Sequence, residues 1–214
     1  AIPSKIEATK SYGGEVVLTK NNMLDECNKI QDKEGSKFIH PFDDIDIILG
    51  QGTLGLEIIN QVRNLDYVFI SIGGGGLISG ISCVLKSINP KIKIIGVEPI
   101  NSNVMTKSIS SNQPKTLDAI SNKTIADGLS APFAGKLTFK FVKKFVDDII
   151  NVSENEMIES MKIIMERLKV VPEAAASACF VPILKNKINI KPNTNSLVLL
   201  CGGNIDINKL KILF

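Results

Sequence analysis

Tyr67-Val68-Phe69-Ile70-Ser71-Ile72-Gly73-Gly74-Gly75-Gly76-Leu77-Ile78-Ser79-Gly80 sets an unbroken apolar run directly ahead of four glycines and a second apolar stretch. An apolar run without alternation is the pattern of a strand covered on both faces, as in a parallel sheet. A helix is expected from about Leu77 to Ser87 and a further strand at Lys93–Val97, so the segment reads as a βαβ unit with a glycine turn at its first junction. Glycines let the backbone turn tightly and bring several N–H groups against one ligand. The helix that follows adds its own free N–H groups and the positive end of its dipole. Four glycines at a strand-to-helix junction therefore point to a phosphate, against the plainer alternative of a tight turn with no ligand. The spacing is neither G-x-G-x-x-G nor G-x-x-x-x-G-K-[ST], which argues against a dinucleotide or P-loop site.

The same alternation extends outward. Glu15–Leu18 is expected as a short strand, and Asn22 to Glu34 as a polar helix ended by Gly35. Phe42–Asp46 is turn-like, and Thr53–Arg63 reads as a helix carrying Leu54, Ile58, Ile59 and Val62 on one side. Asn122–Gly135 is expected as a loop, Leu137–Phe145 as a helix and Asp148–Val152 as a strand. Ser153-Glu154-Asn155-Glu156 has the form of a capping box. Ala174–Ile183, small and apolar, should be a buried helix, and Leu197–Leu200 a last buried strand. The alternation makes the chain α/β with a mainly parallel sheet and flanking helices.

Composition narrows the function classes. With 214 residues, 44% of them hydrophobic, the chain can bury a sizeable core. No run of eighteen apolar residues is present, so a membrane span is not expected. A net charge of +3, two tyrosines and no tryptophan do not make the basic, stacking surface of a nucleic-acid binder. Cys27, Cys83, Cys179 and Cys201 lack metal-type spacing and are read as reduced thiols of a cytoplasmic protein. The chain opens Ala1-Ile2-Pro3 with neither an initiator Met nor a signal-like leader, and is expected to be a processed or truncated piece.

Several polar residues keep two readings. Cys201 ends a strand at a glycine turn, where open parallel sheets bind ligands, or it simply packs there. Glu173 opens a buried helix, where it either satisfies the helix N–H groups or faces a polar site. Asp127 serves its glycine loop or a ligand. Glu98 ends the strand after the glycine loop, as a solvated strand end or a cation ligand. His40, the one histidine, precedes Pro41 and reads as structural; with no G-x-S-x-G elbow, a hydrolase triad has no support.

Taken together, these stretches carry a resemblance. His40-Pro41-Phe42-Asp43-Asp44 and Gly50-Gln51-Gly52-Thr53-Leu54-Gly55-Leu56-Glu57 resemble motifs of threonine dehydratases. Ser71–Gly80 is similar to the tetraglycine loop of those enzymes and of serine racemases. Gly96-Val97-Glu98-Pro99, Thr124–Gly128, Val146–Ile149 and Gly202-Gly203-Asn204-Ile205-Asp206 continue the likeness in order, from about Ile6 to Lys209.

The resemblance implies the second fold type of pyridoxal 5′-phosphate enzymes, like the tryptophan synthase β subunit, in incomplete form. Residues 1–43 would be the C-terminal part of a small domain and 44–214 most of a large, cofactor-binding one. Gly73, Gly74, Gly75, Gly76 and Leu77 would hold the cofactor phosphate, Cys201 would meet the pyridine nitrogen, and Glu173 would stand near the cofactor. Glu98 matches a cation ligand. Val104 replaces the aspartate of serine racemases, which implies a monovalent cation held by Glu98 and carbonyls. The implied reaction is deamination of L-threonine to 2-oxobutanoate and ammonia, with L-serine also accepted, in amino-acid metabolism such as isoleucine biosynthesis, by a homodimer or homotetramer. A serine racemase or serine dehydratase is the nearest alternative, and a non-catalytic fragment retaining only the phosphate cradle is another. Phe42 agrees with the dehydratases rather than the racemases. The Schiff-base lysine motif and the substrate loop have no counterpart in the sequence, so no catalytic residue is assigned within it, and on the order of a hundred residues are expected upstream.

Overall fold

The computed structural model describes residues 3–20, 22–118 and 122–214, with Ser4 described by its backbone only. The helices are α1 (Pro3–Ser11), α2 (Met23–Glu34), α3 (Ile45–Gln61), α4 (Gly76–Ile88), α5 (Val104–Ser110), α6 (Lys136–Phe145), α7 (Glu154–Leu168), α8 (Ala174–Ser177), α9 (Val181–Leu184) and α10 (Ile207–Leu213). The strands are β1 (Tyr67–Ser71), β2 (Lys93–Pro99), β3 (Asp148–Val152) and β4 (Ser196–Val198). The chain divides into two compact units. One comprises the described residues up to His40 with Asp206–Ile212 and Phe214; the other comprises Pro41–Ile205 with Leu213.

In the first unit, Asn22 accepts from the Leu24 N–H at 2.9 Å and so caps α2. Gly35 closes the helix with a φ of +66°, its N–H donating to Gln31. Residues 15–18 do not form the expected strand. Among the described residues this unit holds no other strand to pair with them, and a lone strand leaves its backbone groups without a ladder.

The second unit is built on a fully parallel sheet of order β3-β2-β1-β4. The unbroken apolar run of β1 has the cause expected of it, since both faces are covered. Val68, Ile70 and Ile72 pack with Ile78, Ile81 and Leu85 of α4, Ile58 of α3 and Phe139 and Val142 of α6. Phe69 points the other way, into a cluster with Ile95 and Cys179. Each fully buried side chain of this kind contributes about 1.5–3 kcal/mol.

Helix α3 begins at Ile45, eight residues before the expected start. Helices α3 and α4 cross where Gly52 and Gly55 face Gly80 and Ile81. A methyl group on Gly80 would lie 2.3 Å from the Ile48 carbonyl oxygen and 2.5 Å from the Gly52 nitrogen, so the two backbones touch there. The expected single helix over 174–183 is helical but broken. A 3₁₀ turn at Ala178–Phe180 separates α8 from α9, whose first turn holds Pro182 with no N–H to give. The capping box of α7 is present in both halves.

Candidate functional site

The chain runs from β1 outward through β2 to β3, then crosses back to place β4 on the other side of β1. Connections diverge between β1 and β4, and in an open parallel sheet that divergence opens a crevice beyond the strands' C-terminal ends. A cavity of about 510 Å³ lies there, within the usual range for ligand sites. Gly73–Leu77 line it from β1, Cys201 from beyond β4, Asp127–Ala131 from the loop after residue 122, and Glu173 and Ala175 from the start of α8.

The glycine loop is shaped by close approach. A methyl group on Gly74 would fall 2.2 Å from ring carbons of Phe42, and one on Gly73 would fall 3.1 Å from the Gly128 carbonyl oxygen. Gly75, the N-cap of α4, has a φ of +91°, a conformation that side chains rarely adopt. Among the described residues, no backbone or side-chain group of the protein takes up the N–H groups of Gly73, Gly74, Gly75, Gly76 or Leu77. Gly75 and Gly76 are buried and the other three half-buried, and unpaired N–H groups at a helix N-terminus beside a cavity have the geometry that can accept an anion. The carbonyls are tied instead. Gly74 accepts from the Thr138 hydroxyl at 2.8 Å and Gly75 from the Ser79 N–H at 3.0 Å.

Glu173 is the N-cap of α8, yet its side chain makes no capping bond. Its backbone N–H donates to the Gly202 carbonyl at 3.2 Å, and its Oε1 lies over Gly202 and Gly128, 2.5 and 3.2 Å from where their Cβ atoms would be. The carboxylate thus spans the two glycine turns that border the cavity. Cys201 is exposed and forms part of the cavity wall. Cys179 differs: it is fully buried against Ser71, and burial pushes its thiol up to about 12, which leaves it inert. Asp127 opens a 3₁₀ turn at the cavity's edge and accepts from the Ser130 N–H and hydroxyl through its carbonyl. His40 belongs to the first unit, its ring 5.9 Å from that of Phe38.

Glu98 is fully buried and is not among the cavity's lining residues. It accepts from the N–H groups of Met105 and Thr106 at 2.8 and 2.7 Å and from the Thr106 hydroxyl at 2.7 Å. Burial pushes its carboxyl up to about 7 against the pull of those bonds. Oε1 accepts one of these bonds and Oε2 two, all from the first turn of α5.

Sequence reasoning passed over the scaffold behind the glycine loop. Asp43 read only as part of a turn and a motif. It accepts from the N–H groups of Lys136, Leu137 and Thr138 at 2.9, 2.8 and 3.2 Å, capping α6 across more than ninety positions. A pairing so distant leaves no local signal. Ser71 and Gln51 of the cavity wall were likewise not singled out as site residues.

A family model described as pyridoxal-phosphate dependent enzyme matches residues 1–202. The chain is 39% identical over 211 residues to the L-threonine ammonia-lyase of Thermotoga maritima, covering 97% of this chain and 51% of that protein. It is 40% identical over 211 residues to the catabolic L-threonine dehydratase TdcB of Escherichia coli K12, covering 97% and 64%. Among solved structures, maize serine racemase superposes with a TM-score of 0.91 at 33% identity, over 99% of this chain and 66% of that one. The chain therefore spans about half to two thirds of the length of these proteins.

Proposed function

This chain belongs to the pyridoxal-phosphate dependent enzyme family, and on that premise we propose that it forms the cofactor-binding part of an enzyme that deaminates L-threonine to 2-oxobutanoate and ammonia, and L-serine to pyruvate. The observation that carries the reading is the row of unengaged N–H groups at Gly73–Leu77, set in one cavity with Cys201 and Glu173. The residues present fit the cofactor. The loop amides and the N-terminus of α4 would hold its phosphate, which is favourable for an anion on both counts. Cys201 would meet the ring nitrogen, and Glu173 would fix the Gly202 turn that carries Cys201. The Phe42 ring, packed on Gly74, forms that side of the cavity wall.

Bound there, the cofactor supplies an electron sink for the pair left when the substrate's Cα proton departs. The neutral thiol of Cys201 cannot strongly protonate the ring nitrogen, which moderates that sink and suits loss of the β-hydroxyl over transamination. Among the described residues the cavity lining holds no lysine. That supports a Schiff-base lysine supplied from outside these 214 residues. Homo-oligomeric assembly, as a dimer or tetramer, belongs to the same reading.

A second reading, a serine racemase, is favoured by the maize likeness, and Phe42 weighs against it. Assay of the full-length parent with L-threonine and L-serine separates the two. Formation of 2-oxobutanoate with little D-serine is expected; D-serine as the main product, or no turnover of threonine, would refute the dehydratase reading. The chain by itself, mixed with pyridoxal 5′-phosphate and reduced with borohydride, should show no single stoichiometrically labelled lysine.

A further inference from the structure

We propose that Thr138 is a positioning residue for the phosphate loop, orienting the Gly74–Gly75 peptide so that its N–H is turned into the cavity. The inference rests on the cofactor-site reading and deepens it.

Thr138 lies in the first turn of α6, with a fully buried side chain. Its hydroxyl has two acceptors in reach, the Gly74 carbonyl at 2.8 Å and the Gly135 carbonyl at 3.4 Å. The shorter distance is the usual length for an O–H···O bond, and the longer is marginal, so the proton goes to Gly74. In a trans peptide, C=O and N–H point in opposite directions. Holding the Gly74 oxygen back against α6 therefore turns the Gly75 N–H away from α6, toward the side where the glycines line the cavity. The same bond polarises the peptide and strengthens that N–H as a donor. A loop of four glycines has little stiffness of its own, so this restraint has to come from outside the loop.

Two further contacts make α6 a rigid backing. A methyl group on Gly75 would fall 3.0 Å from Thr138 Cβ, so helix and loop are in direct contact. Asp43 fixes the first turn of α6 through three N–H groups, including that of Thr138, and the neighbouring Phe42 covers Gly74 and Gly76. The hydroxyl is thus held from one side and presses on the loop from the other. No ligand contact is needed for it to set donor geometry.

The test compares the 214-residue chain with its Thr138→Val and Thr138→Ser variants, titrated calorimetrically with pyridoxine 5′-phosphate and with pyridoxine. The first probe carries the phosphate without an aldehyde that would react with surface lysines. The parent chain is expected to prefer the phosphate ester. T138V should weaken that ester's binding roughly fivefold to tenfold, the scale of one lost hydrogen bond, and leave pyridoxine unaffected. T138S should retain the ester within about twofold. If T138V does not fold, Thr138→Ala gives the same comparison. A parent chain that prefers the phosphate ester while T138V binds it equally well overturns this inference alone. Loss of binding in T138S as large as in T138V also overturns it, because packing would then be at issue. A parent chain with no preference for the ester overturns the phosphate-site reading and this inference with it.

Discussion

Cys201 carries the reading of the chemistry at the residue scale. It lies beyond β4 at a glycine turn, is exposed, lines the cavity, and bears a thiol, a weakly polar group. Serine in its place offers the same neutral, weakly polar atom, whereas aspartate offers a charge that would hold a proton on the ring nitrogen. In the full-length enzyme, Cys201→Ser is therefore expected to keep threonine deamination within a few-fold, and Cys201→Asp to divert turnover toward transamination. Chromatographic assay for pyridoxamine 5′-phosphate after turnover checks this; equal by-product in both variants would remove Cys201 from the ring nitrogen. The residues around it were legible to different degrees. The four glycines of residues 73–76 announce themselves by type, whereas Leu77 and Cys201 are assigned through the family resemblance, and all of them line one cavity. Asp43 and Thr138 could not be singled out. Their roles depend on α6 lying behind the loop, a tertiary fact with no local pattern.

Between elements, the α3–α4 crossing has the sharpest constraint, because backbone meets backbone at Gly80. Gly80→Ala should destabilise the chain by about 2 kcal/mol or more through that overlap. Gly50→Ala, with nothing within 4 Å of the added carbon in the same helix pair, should be neutral or stabilising by up to about 1 kcal/mol. Urea unfolding of the two variants checks both; similar behaviour would mean that the crossing is looser than described. Helix α3 carries three low-propensity glycines, and at Gly52 and Gly55 close approach of α4 makes glycine the residue that fits, which the local sequence does not reveal. The βαβ unit was read to within a residue or two, because burial on both faces imprints an unmistakable run on β1. A second tie links α4, β2 and the turn before β3. Asp147 meets Lys86 at 2.6 Å, Lys93 at 3.0 Å and the Ile94 N–H at 2.9 Å. Burial pulls its carboxyl up, but these partners outweigh it and hold it below the usual range. A lowered value means that the stabilisation is present above the unfolded value, about 3.9, and is lost as pH falls through the lower folded value. Asp147→Asn should cost on the order of 1 kcal/mol at neutral pH, given solvent screening, and should flatten the acid limb of a stability–pH profile. An unchanged acid limb would count against this.

For the whole molecule, the four parallel strands and their helices place the glycine loop, the Cys201 thiol and the Glu173 carboxylate around one crevice where the strand order turns. Among the described residues, no helix is long and apolar enough to cross a membrane. The chain spans about half to two thirds of the length of its relatives, and among the described residues its cavity lining contains no lysine. The claim on which everything else depends is that the phosphate sits on Gly73–Leu77. Amide-resolved NMR of the isotopically labelled chain during titration with pyridoxal 5′-phosphate tests it directly. The expected result is saturable shifts of the Gly73, Gly74, Gly75, Gly76 and Leu77 amides, absent when pyridoxal replaces the phosphate ester. Shifts scattered over the lysine-bearing surface, with those five amides unmoved, would contradict the account.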